Sequence, residues 1–394
     1  MAGAADPARG RVLRRPARRV VCILCPGGLE HAGGIGRAMG NLVAALAAAD
    51  PTLPIEVLDT RGPGHIALSP LYLARALARI AVLRFSGRLA LLHVNVSTHG
   101  SAARKLVVSL FAAALGARLV LHLHAAVFEE FYRDLPGSLR AVLRWMFRRA
   151  DRVVVLGAHW KRVVGDLGVA PERIAIICNG VRAPAAGRQA GDRGDAPLHL
   201  VFTSRLCALK GTDDLLLALA SPALNGQPWR ATLAGDGDRE TYREQAARLG
   251  IAGRVAFPGW LGREDVERLL GEADVLVLPS HAEGLSVAVL EALASQVPVI
   301  TTPVGSIPEF LADGESVLFI PPGDVEALAG ALHRLIASPA LRARLAAGGG
   351  EAFRRHFDSR AVAEQTLALY REIDAGMPRS YGLRNDPGLS AEAG

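Results

Sequence analysis

The sequence predicts an α/β protein with two Rossmann-like domains that face a central cleft. Short apolar runs rich in β-branched residues alternate with longer helical stretches along most of the chain. The alternation stops once, in a segment at 181–197 that is rich in Gly, Ala and Pro, and then begins again. At 394 residues the chain is also long for one hydrophobic core. Because parallel strands are joined by helical crossovers, this pattern indicates two parallel sheets.

The pattern places each element in order. In the first half, we expect strands at 19–25, 54–58, 90–96, 118–123, 152–156 and 174–178, and helices at 35–49, 70–84, 101–115, 138–149 and 158–167. In the second half, we expect strands at 198–203, 230–234, 254–257, 274–278, 298–301 and 317–319, and helices at 211–220, 238–249, 263–271, 286–295, 306–312 and 324–337. No strand follows the last helical region at 339–375, so we expect it to cross back and pack on the first domain.

These elements define a domain plan for the whole chain. It comprises a basic extension at 1–18, a first domain at 19–184, a linker at 185–197, a second domain at 198–350, a returning C-terminal helix at 351–376 and a tail at 377–394. Ligands of such sheets bind beyond the carboxyl ends of the strands. The cleft between the two domains is therefore where functional residues are expected.

Composition excludes several classes of protein. Half of the residues are hydrophobic, which excludes general disorder. Cys22 and Cys25 form a C-x-x-C inside an apolar run that indicates a buried strand, so zinc or redox chemistry is disfavoured and a reduced, cytosolic protein is expected. The longest uncharged apolar segment, Leu106 to Ala117, is shorter than the roughly 20 residues that span a bilayer. We expect no secretory signal and no integral membrane segment.

The charge is divided unevenly between the two halves. Residues 1–195 carry a formal charge of +14 and residues 196–394 a charge of −7. The segments 71–88 and 138–149 both have the pattern of basic amphipathic helices, which bind anionic membrane surfaces. The residues expected at this surface are Arg75, Arg79, Arg140, Arg144, Arg148 and Arg149. The alternative is an ordinary half-buried helix with a solvated face; nucleic acid is disfavoured because no binding motif accompanies the basic residues.

The stretch from Glu283 to Glu291 carries the strongest functional signal. It follows an apolar strand directly, Gly284 permits a tight turn, and a helix begins near Ser286. The free N–H groups of Gly284, Leu285, Ser286 and Val287 then form an anion pocket suited to a diphosphate. Glu291 lies about 7–8 Å further along the helix axis, where a carboxylate accepts hydrogen bonds from ribose hydroxyls. Since the helix is otherwise apolar, a carboxylate there favours a ligand role over a surface position.

Cations and glycines are expected at the same edge. Arg205 and Lys210 follow the first strand of the second domain, where they would neutralise a diphosphate and help it depart. Gly34 and Gly36 belong to a glycine-rich loop after the first strand of the chain, and its spacing disfavours a dinucleotide cofactor.

One histidine is expected to bind a sugar hydroxyl. Strand alternation puts His122 and His124 on one face at a carboxyl end, and His124 is the stronger candidate of the two. Asp236-Gly-Asp238 resembles a metal-binding D-x-D, but it lies in a turn where these residues are ordinary, so no metal is expected.

Taken together, these residues resemble glycosyltransferase family four, the large retaining group with the GT-B fold. The matching elements are Gly33-Gly34-Ile35-Gly36, His124, Arg205 with Lys210-Gly211, Gly235-Asp236-Gly237 and the E-x7-E pair Glu283/Glu291, extended by Val304–Glu309, Asp313-Gly314 and Pro321–Asp324. The resemblance covers most of residues 19–375 and is more specific in the second domain.

The resemblance implies a nucleotide-diphosphate sugar donor held by the second domain and an acceptor on the first. In that case Arg205 and Lys210 hold the diphosphate, Glu291 holds the ribose, and Glu283 and His124 hold the donor sugar. The glycine loop lies against the diphosphate and sugar, and no metal is needed. His124, Glu283, Arg205 and Lys210 are the expected catalytic set.

The expected reaction is transfer of a hexose from GDP-mannose or a UDP-sugar, with retention of configuration, in polysaccharide or glycoconjugate biosynthesis. The expected acceptor is a hydroxyl of a polyprenyl-linked or phospholipid glycan, reached by a cytoplasmic enzyme at the inner face of the plasma membrane. Front-face attack and a covalent intermediate both stay open. The alternatives are a nucleotide-sugar 2-epimerase of the same fold and a non-catalytic binding protein.

Overall fold

The computed structural model describes residues 19–29, 33–62, 65–124, 126–184 and 196–375. Two six-stranded parallel sheets form the centres of two α/β domains. The expected extension at 1–18, the tail at 377–394 and most of the linker lie outside the described residues. The predicted fold class, two Rossmann-like halves of the GT-B type, is confirmed.

The first sheet has the strand order β2-β1-β3-β4-β5-β6, and all of its described pairings are parallel. Its strands are β1 (Val20–Cys25), β2 (Ile55–Asp59), β3 (Leu89–Val96), β4 (Leu119–Leu123), β5 (Arg152–Val155) and β6 (Ile174–Ile176). β1, β3 and β4 are buried along their whole lengths, because helices cover both faces of the sheet. This burial explains why these strands are continuous apolar runs in the sequence.

Six helices of the first domain connect these strands. They are α1 (Gly34–Ala49), α2 (Ser69–Phe85), α3 (His99–Ala114), α4 (Phe128–Asp134), α5 (Gly137–Arg149) and α6 (Ala158–Asp166). The short helix α4 was not predicted. It spans seven residues, and its Glu129-Glu130 start suits the positive end of a helix dipole, a signal that apolar periodicity does not include.

The second sheet has the order β12-β11-β10-β7-β8-β9 and is also parallel. Its strands are β7 (Leu198–Thr203), β8 (Trp229–Ala234), β9 (Val255–Gly259), β10 (Val275–Leu278), β11 (Val299–Thr301) and β12 (Leu318–Phe319). Its helices are α7 (Thr212–Leu219), α8 (Arg239–Arg248), α9 (Arg263–Gly271), α10 (Val287–Ala294) and α11 (Val325–Ala337). The helix predicted at 306–312 is wrong, since this segment holds one 3₁₀ turn at Ile307–Glu309.

The C-terminal region contains two helices with different partners. Helix α12 (Pro339–His356) packs on α10 of the second domain, and α13 (Ser359–Ile373) packs on α1 of the first. The return therefore begins at Ser359, later than the expected 351, because Phe357 is fully buried at the junction between α12 and α13. There the chain pairs with Val181, which donates to the Phe357 carbonyl at 2.9 Å and accepts from Ser359 at 3.0 Å.

Candidate active site

The carboxyl ends of the two sheets border one cleft of about 770 Å³. Every residue expected at the donor site lines it: Gly34, Gly36, His124, Arg205, Lys210, Glu283, Gly284, Leu285, Ser286, Val287 and Glu291. These side chains come from loops and helix starts of both domains. The structure thus brings the whole set together, although the set spans more than half of the chain.

An ion pair between Lys210 and Glu283 occupies the second-domain wall of the cleft. Lys210 Nζ lies 2.7 Å from Glu283 Oε1, and the Ser280 hydroxyl donates to the same oxygen at 2.8 Å. Glu283 is 8% exposed, so its charge depends on these partners. The ion pair fixes both side chains beside the loop that precedes α10.

Helix α10 points its N-terminus into the cleft. Ser286 is the N-cap residue, and its side chain makes no capping hydrogen bond among the described residues. Ser286 and the first helical residues, Val287 and Ala288, line the cleft. Gly284 lies close to the first domain, because a Cβ there would approach the His124 carbonyl oxygen to 3.5 Å. The geometry of the loop supports the predicted anion pocket.

Two glycines, one in the loop after β7 and one directly after β8, have no room for a side chain. Gly211 has a positive φ of 70°, and a Cβ there would come within 2.1 Å of the Pro279 carbonyl. At Gly235 a Cβ would lie 1.7 Å from the Ser204 carbonyl. These contacts hold the segments carrying Lys210 and Asp236 against the end of the sheet.

Glu291 is held by an arginine from the other domain. Arg37 Nε lies 2.6 Å from Glu291 Oε1, and both side chains line the cleft. Desolvation raises the pKa of Glu291, while the charges of Arg37 and Arg263 act in the opposite direction. Arg37 was not predicted as a site residue. Its partner lies 254 positions away along the sequence, so no local motif could reveal the pair.

His124 is neutral and has a defined tautomer. The Asn95 amide nitrogen donates to the Leu24 carbonyl at 3.0 Å, so the Asn95 oxygen faces His124 and accepts from its Nε2–H at 3.0 Å. Burial lowers the pKa of His124 to about 3. Its Nδ1 therefore keeps a lone pair at neutral pH, which suits it to accept a hydrogen bond from a hydroxyl.

Arg205 and the aspartates lie at the edge of the cleft. The Arg205 side chain is 67% exposed, and its Nε lies 3.8 Å from Asp236 Oδ2. Asp238 accepts a hydrogen bond from the Thr241 N–H and caps α8. A capping role accounts for Asp238, while Arg205 is free to turn toward an anion in the cleft.

A second interdomain contact also escaped prediction. The Glu309 carboxylate accepts hydrogen bonds from the backbone N–H groups of Ala158 at 2.5 Å and His159 at 2.8 Å. These N–H groups begin helix α6 of the first domain, so a second-domain carboxylate caps a first-domain helix.

The residues expected at a membrane surface lie outside the cleft. Arg140, Arg144, Arg148 and Arg149 of α5 are all exposed, and among the described residues none has a carboxylate within 4.0 Å. Three of them border a surface depression of about 590 Å³ with Trp145 and Arg173. Arg75 on α2 is also exposed, but Arg79 forms a bidentate ion pair with Glu56 at 2.7 and 2.8 Å. Arg79 therefore forms an ion pair within the first domain, unlike the arginines of α5.

One helical segment in the described part of the chain, Ile66–Phe85, is long and apolar enough to cross a membrane by length and composition. Only 22% of it is buried inside the structure. It ends in exposed apolar side chains, among them Phe85 and Val82. It also packs against β2 and β3, as a crossover helix of the first domain does.

Two family models match the chain, one on each domain. The model described as "Glycosyltransferase Family 4" matches residues 32–183, and the model described as "Glycosyl transferases group 1" matches residues 197–338. The chain belongs to glycosyltransferase family 4, as the motifs indicated.

Curated relatives share a part of the sequence. A glycogen synthase of Mycobacterium tuberculosis is 29% identical over 244 residues, covering 61% of this chain and 59% of the relative. The lipopolysaccharide core biosynthesis glycosyltransferase LpsE of Rhizobium meliloti is 34% identical over 229 residues, covering 57% of this chain and 65% of the relative. The chain thus spans about three fifths of these relatives' lengths.

Solved structures share the fold over most of the chain. Sucrose-phosphate synthase from Thermosynechococcus elongatus superposes with a TM-score of 0.75 at 20% identity, covering 90% of this chain and 99% of that one. Anabaena HepE in complex with UDP-glucose superposes with a TM-score of 0.71 at 20% identity, covering 90% and 99%.

The ion pair of Arg37 with Glu291 predicts a stability effect. In Arg37→Ala the buried carboxylate loses its nearest cation, so the free energy of unfolding should fall by about 1–3 kcal/mol. Urea denaturation measures this loss. Adding Glu291→Gln should restore part of it, because a neutral amide needs no counter-charge. A single variant as stable as the wild type would contradict the pairing.

Buried histidines predict a loss of stability in mild acid. Burial lowers the pKa of His93 to about 4 and that of His122 well below its usual value. The unfolded chain therefore binds these protons first, and stability falls as the pH drops from about 6.5 toward 4, by roughly 1.4 kcal/mol per pH unit for each histidine. The urea midpoint at pH 7, 6 and 5 measures the slope. His93→Gln should reduce it; an unchanged midpoint across this range would refute the expectation.

Proposed function

We propose that the protein is a retaining glycosyltransferase that moves a hexosyl group from a nucleotide-diphosphate sugar to an acceptor hydroxyl. The observation that carries the proposal is the arrangement around the start of α10. Lys210, Glu283 and the free helix N-terminus meet there, with Glu291 one and a half turns further along the same helix. This arrangement offers separate partners for a diphosphate, a sugar and a ribose.

The donor extends along the second-domain wall. Its diphosphate lies at the N-terminus of α10, between Lys210 and the exposed Arg205, where backbone dipoles and permanent cations offset its charge. The ribose hydroxyls donate to Glu291, and the ion pair with Arg37 holds that carboxyl group in place and offsets part of the desolvation that raises its pKa. The sugar lies between Glu283 and His124, and a sugar hydroxyl donates to Nδ1 of His124.

The reaction proposed for this placement is transfer with retention of configuration. The bond between the anomeric carbon and the diphosphate oxygen breaks, and its electron pair leaves with the diphosphate. The acceptor hydroxyl forms its bond on the same face and passes its proton to that departing oxygen. Lys210, Arg205 and the N–H groups of α10 stabilise the charge that develops on the leaving group, and this supports a reaction that needs no metal.

The donor and the acceptor are proposed by class. Anabaena HepE, which shares the fold, was crystallised with UDP-glucose, and this supports a UDP-sugar over GDP-mannose. Relatives named for lipopolysaccharide core biosynthesis and colanic acid biosynthesis support an exopolysaccharide or lipid-linked glycan as acceptor. We place the enzyme in the cytoplasm, at the inner face of the plasma membrane.

The basic face of the first domain supports that location. The exposed arginines of α5 share that helix with exposed Leu139, Val142 and Trp145, and exposed Phe85 ends α2. Cations next to partly exposed apolar side chains match the interface of an anionic bilayer. A polyprenyl- or phospholipid-linked acceptor would then reach the cleft from the membrane surface.

A panel of UDP- and GDP-sugars tests the donor. The matching donor should raise Tm and be transferred or slowly hydrolysed.

Lys210→Ala and Glu283→Gln should each lower kcat by at least about 100-fold, in the range found when a group stabilising a transition-state charge is removed. Arg344→Ala, an exposed arginine of α12, is the matched control. Near-normal turnover in either site variant would refute its role. Binding of no nucleotide sugar at millimolar concentration would favour a non-catalytic protein, and epimer formation without acceptor would favour an epimerase.

Co-sedimentation with vesicles tests the membrane surface. Replacing Arg140, Arg144, Arg148 and Arg149 by Gln should abolish most binding to vesicles containing anionic phospholipid, at roughly 1 kcal/mol for each charge. Replacing four exposed arginines of the second domain, Arg230, Arg248, Arg268 and Arg344, changes the net charge equally and should leave binding intact. If both variants lose the same amount of vesicle binding, the binding depends on net charge alone and not on the position of the α5 arginines.

A further inference from the structure

A chain of buried polar groups runs inward from the returning helix α13. The Tyr370 hydroxyl lies 2.5 Å from Nδ1 of His93, and Nε2 of His93 lies 3.1 Å from Nδ1 of His122. All three side chains are at most 2% exposed. None of them lines the donor cleft, and the proposed reaction does not use them directly.

We assign the direction of the hydrogen bonds in this chain from the Tyr370 hydroxyl at its outer end. Burial raises the pKa of Tyr370, so its hydroxyl keeps its proton, and His93 Nδ1 is the partner in reach. The hydroxyl therefore donates to Nδ1. Since burial keeps His93 neutral, its proton is on Nε2 and is donated to His122 Nδ1. Neutral His122 then carries its proton on Nε2.

Two atoms at the inner end of this chain are complementary in hydrogen bonding. His122 Nε2, a donor, and Asn179 Oδ1, an acceptor, are both buried and have no hydrogen-bond partner among the described residues. Both residues line one internal cavity of about 10 Å³, whose remaining wall is mostly apolar. A cavity of this size is at the lower limit for a single water molecule. A donor and an acceptor among its lining residues match two of the contacts that such a water needs.

Asn179 connects this cavity to the donor loop. Its Nδ2 donates to the Leu285 carbonyl at 2.9 Å, and Leu285 stands between Gly284 and Ser286 in the loop before α10. His122 also stacks on His124, with ring centroids 3.9 Å apart. The inner part of the buried chain thus contacts both His124, through His122, and the loop before α10, through Asn179.

We propose that one buried water bridges His122 Nε2 to Asn179 Oδ1 and completes a hydrogen-bonded chain from α13 to the donor loop. In this chain Tyr370, His93, His122 and Asn179 are positioning residues: they hold Leu285, and with it the start of α10, at the distance from His124 that the donor requires. The functional part of the proposal rests on the proposed donor site, whereas the bridging water does not.

Two variants at opposite ends of the chain test the coupling. Tyr370→Phe removes the first proton donor, and Asn179→Ala removes the link to Leu285. Each should raise the donor KM by about 3- to 10-fold, the equivalent of one hydrogen bond, with kcat changed less than about twofold. Residues that do not interact give independent effects. If the two residues are connected, the fold increase in KM of the double variant should be well below the product of the two single fold increases.

The control is Tyr242→Phe, which removes a different buried hydroxyl, bonded to Asp213 at 3.1 Å. It should lower Tm to a degree similar to Tyr370→Phe and leave the donor KM unchanged. Multiplicative effects in the double variant, or lowered Tm with wild-type KM in both single variants, would overturn the coupling. If Asn179→Ala does not fold, Asn179→Asp breaks the same link, because a carboxylate cannot donate to Leu285.

A crystal structure at a resolution that shows water, together with ¹⁵N-histidine spectra, tests the bridge without any donor. The expected results are one water between His122 and Asn179, and neutral Nε2–H tautomers for His93 and His122. A dry cavity or Nδ1–H tautomers would overturn the bridge. If the wild type binds no nucleotide sugar, the proposed function fails while these two readouts still decide the bridge.

Discussion

The ion pair between Lys210 and Glu283 is the contact on which the cleft depends. A carboxylate as enclosed as Glu283 is costly unless it is paired, and Lys210 and Ser280 together supply that compensation. The pairing requires β7 and β10 to be neighbours in the sheet, since the two residues follow these strands. It also requires the tight backbone at Gly211, where the Pro279 carbonyl leaves no space for a Cβ. The strand order and the turn geometry together thus bring the two charges into contact.

Contacts between the two domains converge around this centre. Glu291 meets Arg37, Glu309 caps α6, and Asn179 binds the Leu285 carbonyl. Each pairs a charged or polar group of one domain with a backbone or charged group of the other, and apolar packing plays a smaller part at these points. Polar contacts of this kind can exchange with water or ligand, which suits the walls of a cleft between two domains.

The sequence predicted the positions of strands better than it predicted which side chains contact one another. Buried parallel strands are continuous apolar runs, so β1, β3 and β7 were located to within about two residues. The segment at 306–312 was wrong because Pro308 and its neighbours support only a single 3₁₀ turn. Most donor-site residues were predicted because they follow a strand end or begin a helix, and Glu291 because it is a carboxylate within an apolar helix. Arg37, Asn95 and Asn179 were missed, since their roles depend on residues of other strands or of the other domain.

Arg19 at the start of β1 bonds Asp374 at the end of α13, at 2.7 Å. The two ends of the described chain therefore meet on the first domain, and the second domain is an insertion between Val181 and Phe357, which are themselves in contact. An insertion whose ends touch can be exchanged as one cassette without breaking the host core. The topology lets the second domain be replaced as a unit while the core of the first domain stays intact.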